Sequence, residues 1–287
     1  MEVETPVLSP YAQTDPNLEN LSTSLNGAGN VTPSPMYLHT SPEFAMKRLL
    51  AAGTGSIYQI TRVFRDGELG RYHQPEFTML EWYRVGFDHH QLMDEVSELL
   101  QGLGLGPAGR NSYAAIFESC TGVDPHRADT PELQDKAASL GLQGECHDRG
   151  SLLDFIFSHA VMPALMDTEV AFIFDFPVCQ AALSRIRPGK PDVAERFECF
   201  ISGIEIANGF HELCDASEQL SRFKEEINIR KKAGKPELPL DTQLIAALEQ
   251  GLPECAGVAL GVDRLLMVLL GKKHIDEVLS FPHRPVN

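Results

Sequence analysis

Three stretches of this 287-residue chain gather the side chains that could do chemistry. The first is "RVFRDGELGRYHQPEFTMLEWYR", Arg62 to Arg84. Arg65 opens a loop that holds Gly67, Gly70, Arg71, His73 and Pro75, and Phe77 follows it. A loop from Asp66 to Pro75 is longer than a hairpin turn needs, and long loops in compact domains are often functional. An arginine fork suits a phosphate, and an aromatic face suits a nucleobase; taken alone, each Arg reads equally as a solvated charge. Beyond the loop, strand alternation puts Phe77, Met79, Glu81 and Tyr83 on one face and Thr78, Leu80 and Trp82 on the other. The second set is expected to pack the core. The first mixes aromatics, a carboxylate and a phenol, and a half-buried carboxylate is costly unless paired. A cationic ligand group would supply that pair; an ordinary surface Glu is the plainer alternative.

The second stretch is "FECFISGIEIANGFHELCD", Phe197 to Asp215. Glu198 and Glu205 flank a Gly-centred break, so paired strands would bring the two carboxylates together. Like charges that close repel unless a cation lies between them, and Mg²⁺ is the oxygen-seeking candidate. Asn208, Phe210 and Glu212 share a face if the chain stays extended. Without a ligand, the same residues make an acidic surface hairpin. The third stretch is "GVALGVDRLLMVLLG". Gly257 and Gly261 permit close backbone approach. Asp263 is placed to cap a helix, with Arg264 in its first turn, where a cation opposes the helix dipole. A bound anion would draw on both the helix and the guanidinium; a salt bridge is the alternative. Together the three stretches point to a nucleotide and Mg²⁺ beside an ammonium-binding pocket.

The elements that must position these residues are legible in outline. Residues 9–35, rich in Pro, Ser, Asn, Thr and Gly, read as a long irregular segment. "SPEFAMKRLLAAG" (Ser41 to Gly53) reads as a helix with a Ser cap and Pro at its first position. Ile57 to Arg65 and Phe77 to Tyr83 read as strands. "HHQLMDEVSELLQGL" places Leu92, Val96, Leu99 and Leu103 on one helical face. Residues 108–165 read as a helical insertion, including a Thr-capped "TPELQDKAASLG" with Leu133, Ala137 and Leu140 as its stripe. Strand patterns return at "VAFIFDFP", "RFECFISG" and "IEIANG"; helices follow at "SEQLSRFKEEINIRKKAG" and "TQLIAALEQG". The order lacks strict β-α-β alternation, which favours an α+β fold with an antiparallel sheet flanked by helices.

Composition narrows the class. With 43% hydrophobic and 22% charged residues the chain reads as one large globular domain, residues 1–287. The net charge of −16 opposes non-specific attraction to nucleic acid or anionic membranes. The one dense basic run, "RKKAGK" from Arg230, ends a helical pattern and reads as cations complementing the dipole. Six dispersed cysteines with no C-x-x-C pair and no visible signal peptide read as reduced thiols of a cytoplasmic protein. Neither common nucleotide loop, G-x-G-x-x-G nor G-x-x-x-x-G-K-[ST], is present.

In this order, and over essentially the whole chain, "VETP" (Val3 to Pro6), "FRDGELGRYHQPEFTMLEWY", "GIEIANGFHEL" and "GVALGVDR" resemble the class II aminoacyl-tRNA synthetase catalytic domain. They look like motif 1, motif 2, the strand segment between, and motif 3 of the lysyl-tRNA synthetase branch. The wording is more similar still to the elongation factor P (R)-β-lysine ligase family, lysyl-tRNA synthetase paralogs without the anticodon-binding domain. The resemblance implies activation of (R)-β-lysine with ATP and transfer to a lysine of elongation factor P. It also implies a homodimer built through motif 1 and no tRNA partner. A minimal lysyl-tRNA synthetase-like enzyme, and a non-catalytic paralog serving as a sensor, are the alternatives.

Carried over by motif position, the resemblance implies that Arg65 holds the α-phosphate and Arg264 the γ-phosphate, and that Phe77 stacks on adenine. Asp66, Gly67, Glu68, His73 and Gln74 would line the ATP site, with Ile206 and Gly261 offering backbone contacts. Glu198 and Glu205 would hold Mg²⁺. Ser41, Pro42 and Glu43 would meet the substrate's backbone-side amine, and Glu81, Tyr83, Asn208, Phe210 and Glu212 would bind the amino acid. Ala259 stands where lysyl-tRNA synthetases carry Gly, a methyl that would reshape the amino-acid pocket by ~1–3 kcal/mol of preference. One departure stands out. Motif 2 usually reads F-R-x-E, and here Gly67 occupies the Glu position, with Glu68 one place late.

Overall fold

The computed structural model describes residues 1–26 and 34–284. In chain order its elements begin with β1 (Leu8–Ser9), β2 (Ser22–Leu25), β3 (Ser34–Leu38), α1 (Glu43–Ala51), β4 (Ile57–Phe64) and β5 (Glu76–Val85). They continue with α2 (His89–Gly102), β6 (Gly109–Ser112), α3 (Tyr113–Thr121), α4 (Thr130–Ser139), α5 (Arg149–Ile156), a π-helical turn and α6 (Met162–Ala164). Then come β7 (Val170–Pro177), β8 (Ile186–Arg187), β9 (Val193–Ile201), β10 (Ile204–His211), α7 (Ala216–Lys232), α8 (Thr242–Gly251), β11 (Cys255–Gly261) and α9 (Val262–Leu269). No helix of the described residues is long and apolar enough to cross a membrane.

The chain forms two compact units. The first comprises residues 1–85, 214–254 and 259–287. Its β4 and β5 pair antiparallel from Ile57↔Tyr83 to Phe64↔Glu76. The Arg65 N–H donates to Pro75 O at 2.9 Å and closes the long loop between them. A separate three-stranded antiparallel sheet has the order β1-β3-β2. Residues 9–35 are therefore not irregular throughout: β2 lies inside that segment and β1 and β3 overlap its two ends, while residues 27–33 lie outside the described ones. Helix α1 starts one residue later than its Ser-Pro start implied, with Pro42 as the N-cap, and the Ser41 hydroxyl accepts from Glu43 N at 3.0 Å.

The "RKKAGK" run puts Arg230, Lys231 and Lys232 in the last turn of α7 as expected, and two of its cations do more than complement the dipole. Arg230 is 1% exposed and donates to Asp15 O and Leu18 O, both at 3.1 Å, and to Glu19 at 2.9 Å. Lys235 joins the same Glu19 at 2.7 Å. These cations clamp the 15–19 segment onto the end of α7, Arg230 out of contact with solvent and Lys235 partly exposed.

The second unit comprises residues 86–213 and 255–258. Its β9 and β10 form a hairpin turned by Ser202 (φ 48°) and Gly203 (φ 75°), the paired left-handed residues that a two-residue hairpin favours. β7 runs antiparallel to β9, and β6 lies parallel to β7. The expected helical insertion therefore opens on a strand. Its helices bury Phe117, Leu133, Ala137, Leu152, Leu153 and Ile156 in one apolar cluster with Ile173 and Phe200 of the sheet. Asp129, not Thr130, caps α4. Helix α2 packs on β9 and β10 through His89, Leu92, Met93, Val96 and Leu100; Leu99 and Leu103 face outward, one position off the expected stripe.

Candidate active site

In the first unit, β4 delivers Arg65 to the mouth of the loop and β5 delivers Phe77 from its other side. The guanidinium lies over the Phe77 ring, 5.2 Å from its centroid, and its Nε donates to Thr40 O at 3.4 Å. Gly67 adopts φ +74°, a left-handed conformation that needs the missing Cβ. The Asp66 carboxylate accepts from Gly67 N at 2.8 Å, and Glu68 comes back to 3.6 Å from the Arg65 guanidinium. The departure from F-R-x-E thus keeps an acid beside Arg65, one residue later. His73 sits in a tight turn, bonded by its backbone to Gly70 in both directions.

Helix α9 starts at its N-cap Gly261, which uses no side-chain cap. Asp263 does not cap this helix as expected; it accepts from Thr78 N of β5 at 2.6 Å and pins helix to strand. Arg264 lies in the first turn and its Nε donates to Tyr72 O at 3.0 Å, on the loop that follows Arg65. Gln74 is 2% exposed and its amide is committed: it donates to Asp276 at 2.7 Å and accepts from His283 N at 2.8 Å. Its side chain holds the C-terminal segment, which leaves its backbone as what it can offer a nucleotide.

The mixed face of β5 is the buried one. Met79 is 4% exposed, Glu81 2% and Tyr83 2%, whereas Thr78 and Leu80 are half-buried and only Trp82 of that set is buried. Glu81 is held by its neighbours: Ser41 donates to one carboxylate oxygen at 2.8 Å and the Tyr83 hydroxyl to the other at 2.6 Å. Lys47 pairs with Glu43 at 2.7 Å. A cavity of about 240 Å³ is lined by Ser41, Pro42 and Glu43 together with Tyr11, His39 and Asp241. Ala259 is half-buried in β11.

In the second unit a bulge decides which residues meet. Glu205 pairs with Phe200, but Ala207 pairs with Cys199, so Ile206 is an extra residue in β10. The bulge reverses the parity of the strand. Glu205 therefore joins Asn208 and Phe210 on the face that carries Arg196 and Glu198 of β9. Arg196 is the hub: it contacts the Glu198 carboxylate, donates to Asn208 at 3.2 Å and to Gln180 O at 2.8 Å, and lies over the rings of Phe176 (4.6 Å) and Phe210 (5.9 Å). Burial raises the Glu198 carboxyl to about 7 against the pull of Arg196, with the like charges of Glu205 and Asp154 adding to the rise. Glu212, 1% exposed, follows the end of β10, its N–H bonded to Cys255 O at 3.0 Å.

Sequence reasoning missed Arg196 and Asp154. Arg196 was legible in principle: it stands two residues before Glu198, hence on the same strand face. Asp154 comes from the helical insertion, and no local pattern ties it to the sheet. The oxygen donors Glu198 and Glu205 fit a hard divalent cation such as Mg²⁺, since a shared positive charge relieves the repulsion that the Glu205 carboxylate adds to buried Glu198.

Residues 1–285 match the family of class II tRNA synthetases (D, K and N). Among curated relatives, the elongation factor P (R)-β-lysine ligase of Vibrio cholerae is 52% identical over 286 residues, covering 98% of this chain and 88% of the relative. The proteins of the same name from Mannheimia succiniciproducens and Yersinia enterocolitica are 49% and 48% identical, with the same shares covered.

Proposed function

We propose, from the premise that the chain belongs to the class II tRNA synthetase family (D, K and N), that it is an ATP-dependent, AMP-forming ligase that activates (R)-β-lysine and transfers it to a lysine side chain of elongation factor P. The structural observation that carries the choice of substrate is Glu81. Its carboxylate is almost wholly out of water between Ser41 and Tyr83, and a buried negative charge is stabilised by an ammonium group.

In the first step a carboxylate oxygen of the amino acid attacks the α-phosphorus of ATP, and pyrophosphate leaves with the electrons of the broken P–O bond. Arg65 and Arg264 offset the negative charge on the phosphates, and Phe77 holds the adenine ring by stacking. Asp66, Gly67, Glu68, His73 and Gln74 shape the loop around the nucleotide, and Ile206 and Gly261 contribute backbone. Glu198 and Glu205 would hold Mg²⁺, which when bound neutralises phosphate charge. Ser41, Pro42 and Glu43 orient the amine near the carboxyl end, while Glu81, Tyr83, Asn208, Phe210, Glu212 and Ala259 select the diamine. These groups act by position and charge, and no covalent enzyme nucleophile is required. In the second step the neutral ε-amine of the acceptor lysine attacks the adenylate carbonyl; the new C–N bond forms, the acyl C–O bond breaks with its electrons leaving on AMP, and the nitrogen gives up one proton to solvent. A net charge of −16 opposes a polyanionic tRNA and favours a protein acceptor. Pairing of two copies through the segment that resembles motif 1 would make the enzyme a homodimer.

The test is ATP–pyrophosphate exchange with (R)-β-lysine, α-lysine, asparagine and aspartate, followed by the mass of elongation factor P after incubation. Exchange strongest with (R)-β-lysine and one added β-lysyl mass are expected. Exchange strongest with α-lysine and charging of tRNA would establish a lysyl-tRNA synthetase-like enzyme instead. Absence of exchange in a folded sample that binds ATP would establish a non-catalytic paralog.

A further inference from the structure

The face of the second unit's sheet opposite Arg196 and Glu198 carries a second polar cluster that the reaction does not use. Helix α2 packs on this face. Its Asp88 cap, which accepts from Gln91 N at 2.8 Å while Gln91 reaches back to Asp88 N, fixes the first turn and sets His89 and His90 side by side, ring centroids 4.1 Å apart. From β7 comes Asp175, placed by an irregularity: the register with β9 shifts between Phe174 and Phe176, and Asp175 adopts φ +58°. A left-handed residue without glycine's freedom is strained inside a strand, and such bulges serve to re-aim a side chain.

Where that side chain points is informative. One Asp175 oxygen accepts from Arg187 at 2.5 Å; the other lies 3.4 Å from His89 Nε2. Arg187 also reaches Glu195 at 3.2 Å, and Glu195 in turn contacts His211 at 2.6 Å, so the carboxylate is held from behind. His89 is 1% exposed, yet neither of its ring nitrogens has a hydrogen-bond partner, and neither does the Asp175 Oδ1 that faces it. A distance of 3.4 Å is too long for a good N–H···O bond. It is the edge of a tetrahedron whose centre lies about 2.1 Å from each corner, the usual zinc–nitrogen and zinc–oxygen distance. His89, His90 and Asp175 each offer one donor atom, all within 4.8 Å of one another.

We infer that His89, His90 and Asp175 form a binding site for a borderline divalent transition ion of the Zn²⁺ class, separate from the proposed Mg²⁺ ligands. Two imidazoles and one carboxylate are the donor set that such ions prefer over Mg²⁺. Three protein ligands leave a fourth position for water or another donor. Arg187 is the outer partner that orients Asp175, as metal-bound carboxylates usually have. The ion would tie the start of α2 to the β7 bulge, a stabilising link within this unit.

The experiment uses the full chain, stripped with a chelator and then titrated with ZnSO₄ and, separately, with Co²⁺ as a spectroscopic probe. One equivalent of Zn²⁺ is expected to bind and raise the melting temperature, with excess Mg²⁺ giving no competition, and Co²⁺ is expected to give the intense visible bands of a four-coordinate site. His90→Ala alters a half-exposed side chain, and Asp175→Asn keeps a residue that tolerates the left-handed backbone. Each is expected to weaken Zn²⁺ at least tenfold while retaining the apo protein's circular dichroism. Zinc binding that is unchanged in both variants, no stoichiometric zinc in the wild type, or a Co²⁺ spectrum of six-coordinate type would overturn the inference.

Discussion

Arg65 and Glu68 face each other at 3.6 Å across a turn whose second residue, Gly67, has φ +74°. Any residue with a Cβ is strained there, by ~1–2 kcal/mol. Gly67→Ala is therefore expected to lower the unfolding free energy by that amount, read as a lower urea midpoint, and to weaken ATP binding by loosening Glu68 from Arg65. Nothing crowds the position, since no atom lies within 4 Å of where a Cβ would be. A midpoint equal to that of the wild type would show that the loop can turn without glycine.

Arg65→Ala tests the phosphate role directly. The loss of one preorganised charge-assisted contact to a reacting phosphate is worth ~3–4 kcal/mol, so pyrophosphate exchange should fall at least a hundredfold. Because the guanidinium also stacks on Phe77, Arg65→Lys separates charge from stacking. Exchange restored fully by lysine would argue for a point charge alone; partial recovery is expected.

Arg196 holds together the face on which Glu198 lies. Removing it leaves a desolvated carboxylate with Glu205 and Asp154 as neighbours, so Arg196→Ala is expected to cost ~2–4 kcal/mol of stability. Glu198→Gln in the same chain should recover part of that loss, since the stranded charge is then gone. A double-mutant cycle in urea reads the coupling; strict additivity of the two substitutions would show that the pair does not act as one.

The outline of the fold was legible because most elements are marked locally. The strand pair around the motif 2 loop, the helix at Ala216–Lys232 and the strand-to-helix turn at Gly261 follow from alternation, from helical spacing and from glycine. What was not legible depends on partners distant in sequence. Nothing in "RKKAGK" announces that Arg230 will be buried against Glu19, 211 residues away. Glu81 meets Ser41, 40 residues earlier, and its face is the more buried one, while of the set that alternation assigned to the core only Trp82 is buried. The bulge at Ile206, which swings Glu205 onto the face of Asn208, has no signature in "GIEIANGF", since none of its residues is a marked bulge former. Ile57 to Arg65 and Phe77 to Tyr83, by contrast, needed no such partner.

Glu226 gives the first unit a pH dependence of definite sign. Burial raises its carboxyl from 4.5 to about 7, against the hydrogen bond from Thr14. The folded chain then holds a proton that the unfolded chain releases at lower pH. Its contribution is fully present below pH 4.5 and is lost as pH rises through about 7, by on the order of 3 kcal/mol. Other carboxylates act in the opposite sense, so the difference between wild type and Glu226→Gln is the quantity to follow. The variant's advantage in melting temperature should grow from pH 5 to pH 7.5 and then level off. A constant difference across that range would show that Glu226 does not titrate there.

Gly209 tests the β9–β10 hairpin on which the second set of site residues stands. It pairs with Phe197, and a Cβ added to it would lie 2.4 Å from two ring carbons of Phe197 and 3.0 Å from Gly257 O. The ring is fully buried and the carbonyl belongs to the neighbouring strand, so neither has room to give. Gly209→Ala is expected to cost ~1–3 kcal/mol and to disturb Asn208 and Phe210, which flank it. Phe197→Leu in the same chain removes the two ring atoms that clash and should recover more stability than Phe197→Leu alone would suggest. Recovery of stability together with exchange activity would show that the site fails in Gly209→Ala through this one contact; recovery of stability alone would place the remaining fault in the Gly257 carbonyl and the strand pairing it supports.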